Sequence, residues 1–110
     1  MCAWMIAAYA LAAPVMAQEK IYEGEEAAAL RCANAIALTA VALESTGRIG
    51  STEKQVMLDI TLRILVEHVS GTWAQKKAAL GVVRDRRDLE QTFEDFERYA
   101  NQCLRQFPIN

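Results

Sequence analysis

Apolar residues recur at helical spacing along most of the chain, and no segment alternates strictly between apolar and polar positions. The first such segment, 25–45, is rich in alanine and contains no glycine or proline, so its helix propensity is high. Gly47 follows it and predicts its end. Thr52 and Gln55 then have the spacing of a capping box, which predicts the start of a second helix at Thr52.

In the second predicted helix, charged and apolar residues occupy different faces. Asp59, Arg63 and Glu67 recur every four residues and predict the solvent-exposed face. The remaining apolar positions predict a broad buried stripe, made of Leu58, Leu62, Leu65 and Val69 and widened by Val56, Ile60 and Ile64.

Two further helices are predicted after a break at Ser70-Gly71-Thr72. Thr72 and Gln75 repeat the capping-box spacing, and a short third helix over 73–80 is expected to end at Gly81. The fourth helix is predicted over 85–106, because Pro108 prevents its continuation. Its apolar residues are separated by four and three positions in turn, as a packed seam requires; they are Leu89, Phe93, Phe96, Ala100, Cys103 and Phe107.

The amino-terminal segment has a different character. The chain has 26 charged residues, 12 basic and 14 acidic, and all of them lie at or after Glu19. The apolar run 3–13 is shorter than the roughly 20 residues of a membrane-spanning helix, and Val15-Met16-Ala17 offers a small-residue cleavage site. We therefore predict a signal peptide, 1–17, and a single helical domain, 18–110, with no stable membrane span after cleavage. No Lys or Arg precedes the run, so an uncleaved helix that is buried or acts as an anchor is the alternative.

Removal of the signal peptide leaves two cysteines, Cys32 and Cys103. An even number of cysteines in an exported chain predicts a disulfide. This disulfide would close a long loop, so chain entropy gives it about 4 kcal/mol of stabilisation. There is no C-x-x-C motif for thiol redox chemistry, and two cysteines with one histidine do not form a zinc set.

The disulfide also selects the topology. Bridged cysteines have Cα atoms about 4.4–6.8 Å apart. In a three-helix, up-down-up bundle the two cysteines would be offset by roughly 15–18 Å along parallel helices. With a break near Gly71, the first and last helices run antiparallel and the cysteines meet. The sequence therefore predicts an all-α, disulfide-stapled four-helix up-down-up-down bundle with one short helix, preceded by the signal helix. Because alanine buries little area, we expect the second and fourth helices to supply most of the bulky core.

Catalytic and ligand chemistry is sparse in this sequence. The net charge is −2, so no basic excess points to nucleic acid as a partner. His68, the single histidine, has no identifiable nucleophile as its partner, and no glycine-rich phosphate loop is present. The carboxylates Glu94, Asp95 and Glu97 surround two phenylalanines and are interpreted as a solvated helix face. We expect no catalytic residue, no metal site and no cofactor.

A few residues are candidates for contact with a protein partner. Three arginines form the densest charge cluster, although two neighbouring aspartates neutralise much of it. Two aromatic residues are added because aromatic side chains dominate binding hot spots. The candidate contacts are Tyr22, Trp73, Arg84, Arg86 and Arg87.

These features favour a small non-enzymatic helical protein that is located in the periplasm or outside the cell. It would act through a protein–protein surface, as an accessory subunit or a structural factor of the envelope. One alternative is an inhibitor or immunity protein against an envelope toxin, and another is a periplasmic chaperone or carrier of apolar ligands.

Overall fold

The computed structural model of the chain describes residues 19–86 and 88–109. These residues form four α-helices and no β-strand: α1 (Gly24–Ser45), α2 (Ser51–His68), α3 (Trp73–Arg86) and α4 (Leu89–Gln106). The predicted all-α, four-helix fold is confirmed. The predicted signal peptide, 1–17, lies outside the described residues.

Helix α1 is the centre of the bundle and packs against each of the other three helices. Its start lies beside the turn that follows α2, where the Ser70 amide bonds the Glu26 side chain. Cys32, near the start of α1, forms a disulfide with Cys103, near the end of α4. Their Cα atoms are 5.8 Å apart, within the range of ordinary disulfides. Helices α2 and α4 therefore both run antiparallel to α1, which confirms the up-down-up-down order.

The turn after α1 ends the helix as the sequence predicts. Gly47 has a φ of +75°, a left-handed conformation that glycine adopts without steric cost. The Gly47 amide donates to the carbonyl of Glu44 (3.0 Å), and the Arg48 amide donates to the carbonyl of Leu43 (2.8 Å). This pair of bonds is a Schellman motif, and it satisfies carbonyls that the helix end leaves without partners.

Helix α2 begins one residue earlier than the sequence predicts, at Ser51 instead of Thr52. The predicted capping box of Thr52 and Gln55 is wrong, because the helix begins at Ser51 and Thr52 lies within its first turn. Gly50 is the N-cap, and its amide donates to Oε2 of Glu53 at 2.8 Å. A carboxylate in the first turn also interacts favourably with the positive end of the helix dipole.

The capping box predicted for α3 is confirmed. The Gln75 amide donates to Oγ1 of Thr72 (3.1 Å), and the Thr72 amide donates to Oε1 of Gln75 (2.9 Å). The predicted end at Gly81 is wrong, since α3 continues to Arg86. Glycine weakens a helix interior by about 1 kcal/mol, which is too little to end a helix without a following cap or proline.

The start of α4 is later than predicted. The helix begins at Leu89 and not at Asp85, because Asp88 provides a reciprocal cap. The Gln91 amide donates to Oδ1 of Asp88 (2.7 Å), and the Asp88 amide donates to Oε1 of Gln91 (3.1 Å). At the other end the Phe107 amide bonds the carbonyl of Cys103 (2.9 Å), ahead of Pro108.

The core is centred on α1, but most of the buried residues of α1 are small. Its bulky buried side chains are Leu30 and Ile36, and the others are Ile64 and Leu65 of α2, with Val69 and Phe107 at the ends of α2 and α4. Helix α2 buries Thr61, Ile64 and Leu65, α4 buries Thr92 and Cys103, and α3 buries no residue. A helix with neighbours on three sides buries most of its circumference, whatever the size of its side chains. The buried residues of α1 are Ala29, Leu30, Cys32, Ala33, Asn34, Ala35, Ile36, Thr39 and Ala40.

The outer helices bury narrower faces than their sequences predict. In α2, Val56 is 56% exposed and Leu62 is 45% exposed, although both were assigned to the buried stripe. In α4, Leu89 is 52% exposed, whereas Thr92 is only 1% exposed. The seam of α4 is thus rotated by about one position towards Thr92 at its start. Each of these helices packs mainly against α1, and one neighbour covers only a limited arc.

Helix α1 is long and apolar enough, by length and composition, to cross a membrane. Half of its apolar stretch is buried inside the structure, where it contacts the three other helices. A core helix and a signal sequence both meet the same criterion of length and hydropathy, so this feature alone does not distinguish them.

Candidate protein-binding surfaces

The start of α1, the end of α2 and the end of α4 meet around the disulfide. We call this region the bridged end of the molecule. The cysteines and Phe107 are buried there, and polar contacts surround them. The residues of the bridged end are Lys20, Tyr22, Glu26, Cys32, His68, Ser70, Cys103, Phe107 and Pro108.

Ser70, in the turn between α2 and α3, is held by residues at the beginning of the described chain. Nζ of Lys20 donates to Oγ of Ser70 (2.6 Å), and the Tyr22 hydroxyl donates to its carbonyl oxygen (2.7 Å). The Ser70 amide donates to Oε2 of Glu26 at 2.5 Å. Tyr22, a predicted partner contact, is therefore engaged within the molecule.

The surroundings of Ser70 also shift the pKa values of two groups. The bond from the Ser70 amide lowers the pKa of Glu26, and the Ser70 side chain, Lys20 and Lys76 lower it further. Burial raises the pKa of the Tyr22 phenol, and the nearby Glu26 carboxylate raises it further. Glu26 is therefore charged and Tyr22 neutral around pH 7, which are the forms that these hydrogen bonds require.

His68 attaches the carboxyl-terminal residues to the end of α2. Its Nε2 lies 2.7 Å from the carbonyl oxygen of Pro108, so the ring nitrogen is the donor. The imidazole packs edge-on against the Phe107 ring, with the centroids 5.4 Å apart. These contacts give His68 a structural role. Among the described residues, no group of three or more His, Cys, Asp or Glu side chains is placed to hold a metal ion.

Helix α3 presents most of the candidate contact residues to solvent. Trp73 at its start is 46% exposed, and Val82 is 40% exposed. Arg84 and Arg86 are exposed at its end, where Nε of Arg84 lies 3.3 Å from Oδ1 of Asp85. Arg87 lies outside the described residues. The structure thus places Trp73 and two of the arginines on one helix, with Arg84 about 17 Å and Arg86 about 20 Å from Trp73 along its axis at 1.5 Å per residue.

Charge is distributed unevenly between α3 and the rest of the molecule. Helix α3 contains four basic residues (Lys76, Lys77, Arg84 and Arg86) and one acidic residue (Asp85), so its net charge is +3. The whole chain has a net charge of −2, which leaves −5 for the remainder. A basic helix on an acidic body attracts the acidic surface of a partner.

A groove of about 380 Å³ lies between α1 and α4, beside the disulfide. Its wall combines aliphatic residues of α1 (Ala28, Ala35 and Ile36) with aromatic residues of α4 and its C-cap (Phe96, Tyr99 and Phe107). Polar side chains stand at its margin, namely Arg31, Asp95, Gln102 and Gln106. The carrier alternative implies a cleft between alanine-rich helices, but the sequence did not single out the residues of this groove. The seven-residue spacing of Ala28 and Ala35 on one face of α1 was the signal available for it.

The acidic residues of α4 divide between two environments. Glu94 and Glu97 are exposed, as expected for a solvated face. Asp95 is half-buried and lines the groove, so the interpretation as a solvated face does not extend to it.

In comparisons with known proteins, no family model, no curated protein and no solved structure matches the chain. The candidate surfaces are therefore defined by exposure, shape and charge.

Proposed function

We propose that this protein is a small exported, non-enzymatic binding protein whose helix α3 docks on an acidic protein partner. The observation that carries this proposal is that α3 buries no residue of its own, exposes Trp73 and Val82, and has a net charge of +3. A helix that contributes so little to the core is available for binding at little cost in stability.

The chemistry of the α3 face favours a helical or extended acidic segment as its partner. Trp73 is a large aromatic anchor at one end, and arginine is the basic residue best suited to bidentate contacts with carboxylates. Between them, Ala74, Ala78 and Val82 recur every four residues and are exposed. Small side chains at this spacing allow another backbone to approach closely. A partner of about three helical turns would span Trp73 and Arg84 together.

Export is supported by two features of the chain. The amino-terminal segment before Glu19 is apolar and uncharged, and the two cysteines of the remaining chain form a disulfide. Disulfides persist in oxidising compartments such as the periplasm or the extracellular space. We propose the periplasm or the extracellular space as the location.

Intact-mass analysis of the protein from its native compartment tests export and oxidation together. We expect a chain that begins at Gln18 and is about 2 Da lighter before reduction than after it, since disulfide formation removes two hydrogen atoms. A full-length chain with no mass change on reduction would contradict the proposal.

Site-directed photo-crosslinking in the native envelope tests the α3 surface. A crosslinking amino acid at Ala78 should give a discrete adduct, and one at Glu94 on α4 should not. Arg84→Glu should reduce the Ala78 adduct at least tenfold, while the matched reversal Arg98→Glu on α4 should leave it unchanged. Equal adducts at both positions, or equal effects of both reversals, would exclude α3 as the docking surface.

The groove between α1 and α4 favours a second candidate function, the binding of apolar ligands. Its volume of about 380 Å³ lies within the range of small-molecule sites, and its wall is apolar with polar groups at the margin. Aliphatic chains with a polar end group match this arrangement.

An apolar fluorescent dye and a straight-chain fatty acid test this second candidate. Ala100→Phe adds a ring beside the groove and should weaken binding at least fivefold, whereas Ala78→Phe on α3 should not affect it. Absence of saturable binding by the unaltered protein would reject the carrier function and leave the α3 proposal unaffected.

A further inference from the structure

The face of α2 that points away from the core carries two exposed valines around an ion pair. Val56 is 56% exposed and Val66 is 66% exposed. Between them, Nε of Arg63 lies 3.1 Å from Oδ2 of Asp59, and both of these side chains are largely exposed. Valine has a lower helix propensity than alanine, lysine or glutamate, so local helix formation does not explain two valines at solvent-exposed positions.

The positions of these residues match those of a helix-packing seam. Val56, Asp59, Arg63 and Val66 are separated by three, four and three residues, the alternation that keeps side chains on one line along a helix. This line lies opposite the buried Thr61, Ile64 and Leu65, which pack against α1. The inner face of α2 is covered by α1. Its outer face also has the spacing of a packing seam, but none of the described helices covers it.

The seam is complementary to itself when two copies of α2 run antiparallel. If position 61 of one copy lies opposite position 61 of the other, the numbers of facing residues add up to 122. Val56 then faces Val66 of the second copy, and Asp59 faces its Arg63. Leu62, which is 45% exposed, lies one residue from the symmetry axis, so it faces position 60 of the second copy and lies near that copy's Leu62. A two-fold interface requires this reciprocity.

We propose that the outer face of α2 is the dimerisation surface of this protein, and that a second copy docks on it antiparallel. A second copy is the partner that this face complements in charge. Each Asp59 would pair with Arg63 of the other copy in addition to its own Arg63, and the valines of the two copies would bury one another. A single pair of helices buries less than the roughly 1,200 Å² of a standard interface. The dimer is therefore weak and reversible, and it leaves α3 free for the proposed partner.

Sedimentation equilibrium over concentrations from about 1 µM to about 1 mM tests the dimer, since a small interface dissociates within this range. Asp59→Arg places like charges across the interface, and so does Arg63→Asp. Each variant alone should associate at least tenfold more weakly than the original chain. Mixed together, the two variants restore both opposite-charge pairs and should form a heterodimer as strong as the original dimer.

Matched controls separate this surface from other exposed apolar residues. Val66→Glu should abolish association, and Val82→Glu on α3 should leave it unchanged. Far-ultraviolet circular dichroism verifies that each variant remains helical. The proposal is overturned if the protein is monomeric throughout the concentration range, if the mixed variants do not recover association, or if Val82→Glu weakens the dimer as much as Val66→Glu. None of these outcomes bears on the α3 proposal, which rests on a different face.

Discussion

The bridged end and helix α3 are held in place by different means. At the bridged end, three helices meet at a disulfide between residues 71 positions apart, and contacts between residues 40 to 50 positions apart connect Ser70 and His68 to the two ends of the described chain. Helix α3 has a capping box at its start and packs against α1 through partly buried residues such as Leu80 and Val83. The bridged end depends on tertiary contacts, and α3 depends to a greater extent on its own helix propensity.

Because of this difference, the region that stabilises the fold is not the region that is available for binding. Regions with few buried contacts open at lower free energy than the core, and binding segments are commonly drawn from them. A helix that gives little to the core can expose an aromatic residue and several cations without weakening the fold. The variants below remove or reverse this difference between the bridged end and α3.

Removal of the disulfide should have the largest effect. The double variant Cys32→Ala, Cys103→Ala loses the restriction that a 71-residue separation places on the unfolded chain, so its free energy of unfolding should fall by about 4 kcal/mol. Urea denaturation with and without reductant measures the change. Native-state hydrogen exchange should show protection of α1 falling towards that of α3. An unchanged midpoint would mean that the bridged end does not depend on its disulfide.

Replacing one leucine by alanine in each region should lower the free energy of unfolding by unequal amounts. Leu30 is 2% exposed and lies in the core, so Leu30→Ala should cost about 2–5 kcal/mol. Leu80 on α3 is only partly buried, so Leu80→Ala should cost about 1 kcal/mol. Thermal and urea unfolding of the two variants provide the comparison. Equal losses would show that α3 is as tightly integrated as α1.

Two glycines should respond to alanine with opposite signs. Gly71 has a φ of +96°, and an added Cβ would lie 2.8 Å from the Tyr22 hydroxyl oxygen, so Gly71→Ala should destabilise the protein by about 1–3 kcal/mol. Gly81 lies within α3, where a Cβ would meet only Nη2 of Arg84, at 3.8 Å. Gly81→Ala should therefore stabilise the protein by about 0.5–1 kcal/mol. Chemical denaturation measures both changes in the free energy of unfolding. Changes of the same sign would contradict this prediction.

The smallest expected effect is a change in the response to acid. The pKa of Glu26 is lower in the folded protein than its ordinary value of 4.5, chiefly because the Ser70 amide bonds its carboxylate. The stabilisation is thus complete above about pH 4.5, declines as the pH falls towards the lower folded-state pKa, and is absent below it. Glu26→Gln should flatten the pH dependence of urea stability in this window. Glu25→Gln, at an exposed neighbouring position, is the matched control and should not alter it.

Local sequence signals predicted the features of the fold that neighbouring residues determine. Gly47 and the Thr72–Gln75 pair mark helix ends because their hydrogen bonds join residues within a few positions of one another. The disulfide constrained the topology because its geometry permits only one relative direction of α1 and α4. These predictions required no knowledge of how the helices pack.

The wrong predictions concern features of the fold that the packing of the helices against one another determines. Val56 and Leu62 look like core residues in the sequence of α2, and they are exposed because α1 is the main neighbour of that helix. Thr92 replaces Leu89 at the start of the α4 seam for a similar reason: rotation of a helix about its axis is set by its neighbour. The periodicity of apolar residues shows which residues share one face of a helix. It does not show how much of that face a neighbouring helix covers.

The candidate surface was only partly predictable. Trp73 and the arginines stood out as exposed candidates by residue type and clustering. Tyr22 was grouped with them by residue type alone, and no local pattern indicates its hydrogen bond to Ser70, 48 positions away. The grouping of cations on α3 became meaningful only when the structure showed that this helix buries no residue.

The two ends of the described chain lie next to each other. Lys20 donates to Ser70, His68 donates to the carbonyl of Pro108, and His68 and Ser70 are only two positions apart where α2 ends. The turn at Gly47 lies at the other end of α1, about 30 Å away at 1.5 Å per residue. A circular permutant with a short linker between residues 109 and 20 and new termini in this turn would keep the disulfide and all the contacts of Ser70. We therefore expect the permuted chain to form the same arrangement of four helices.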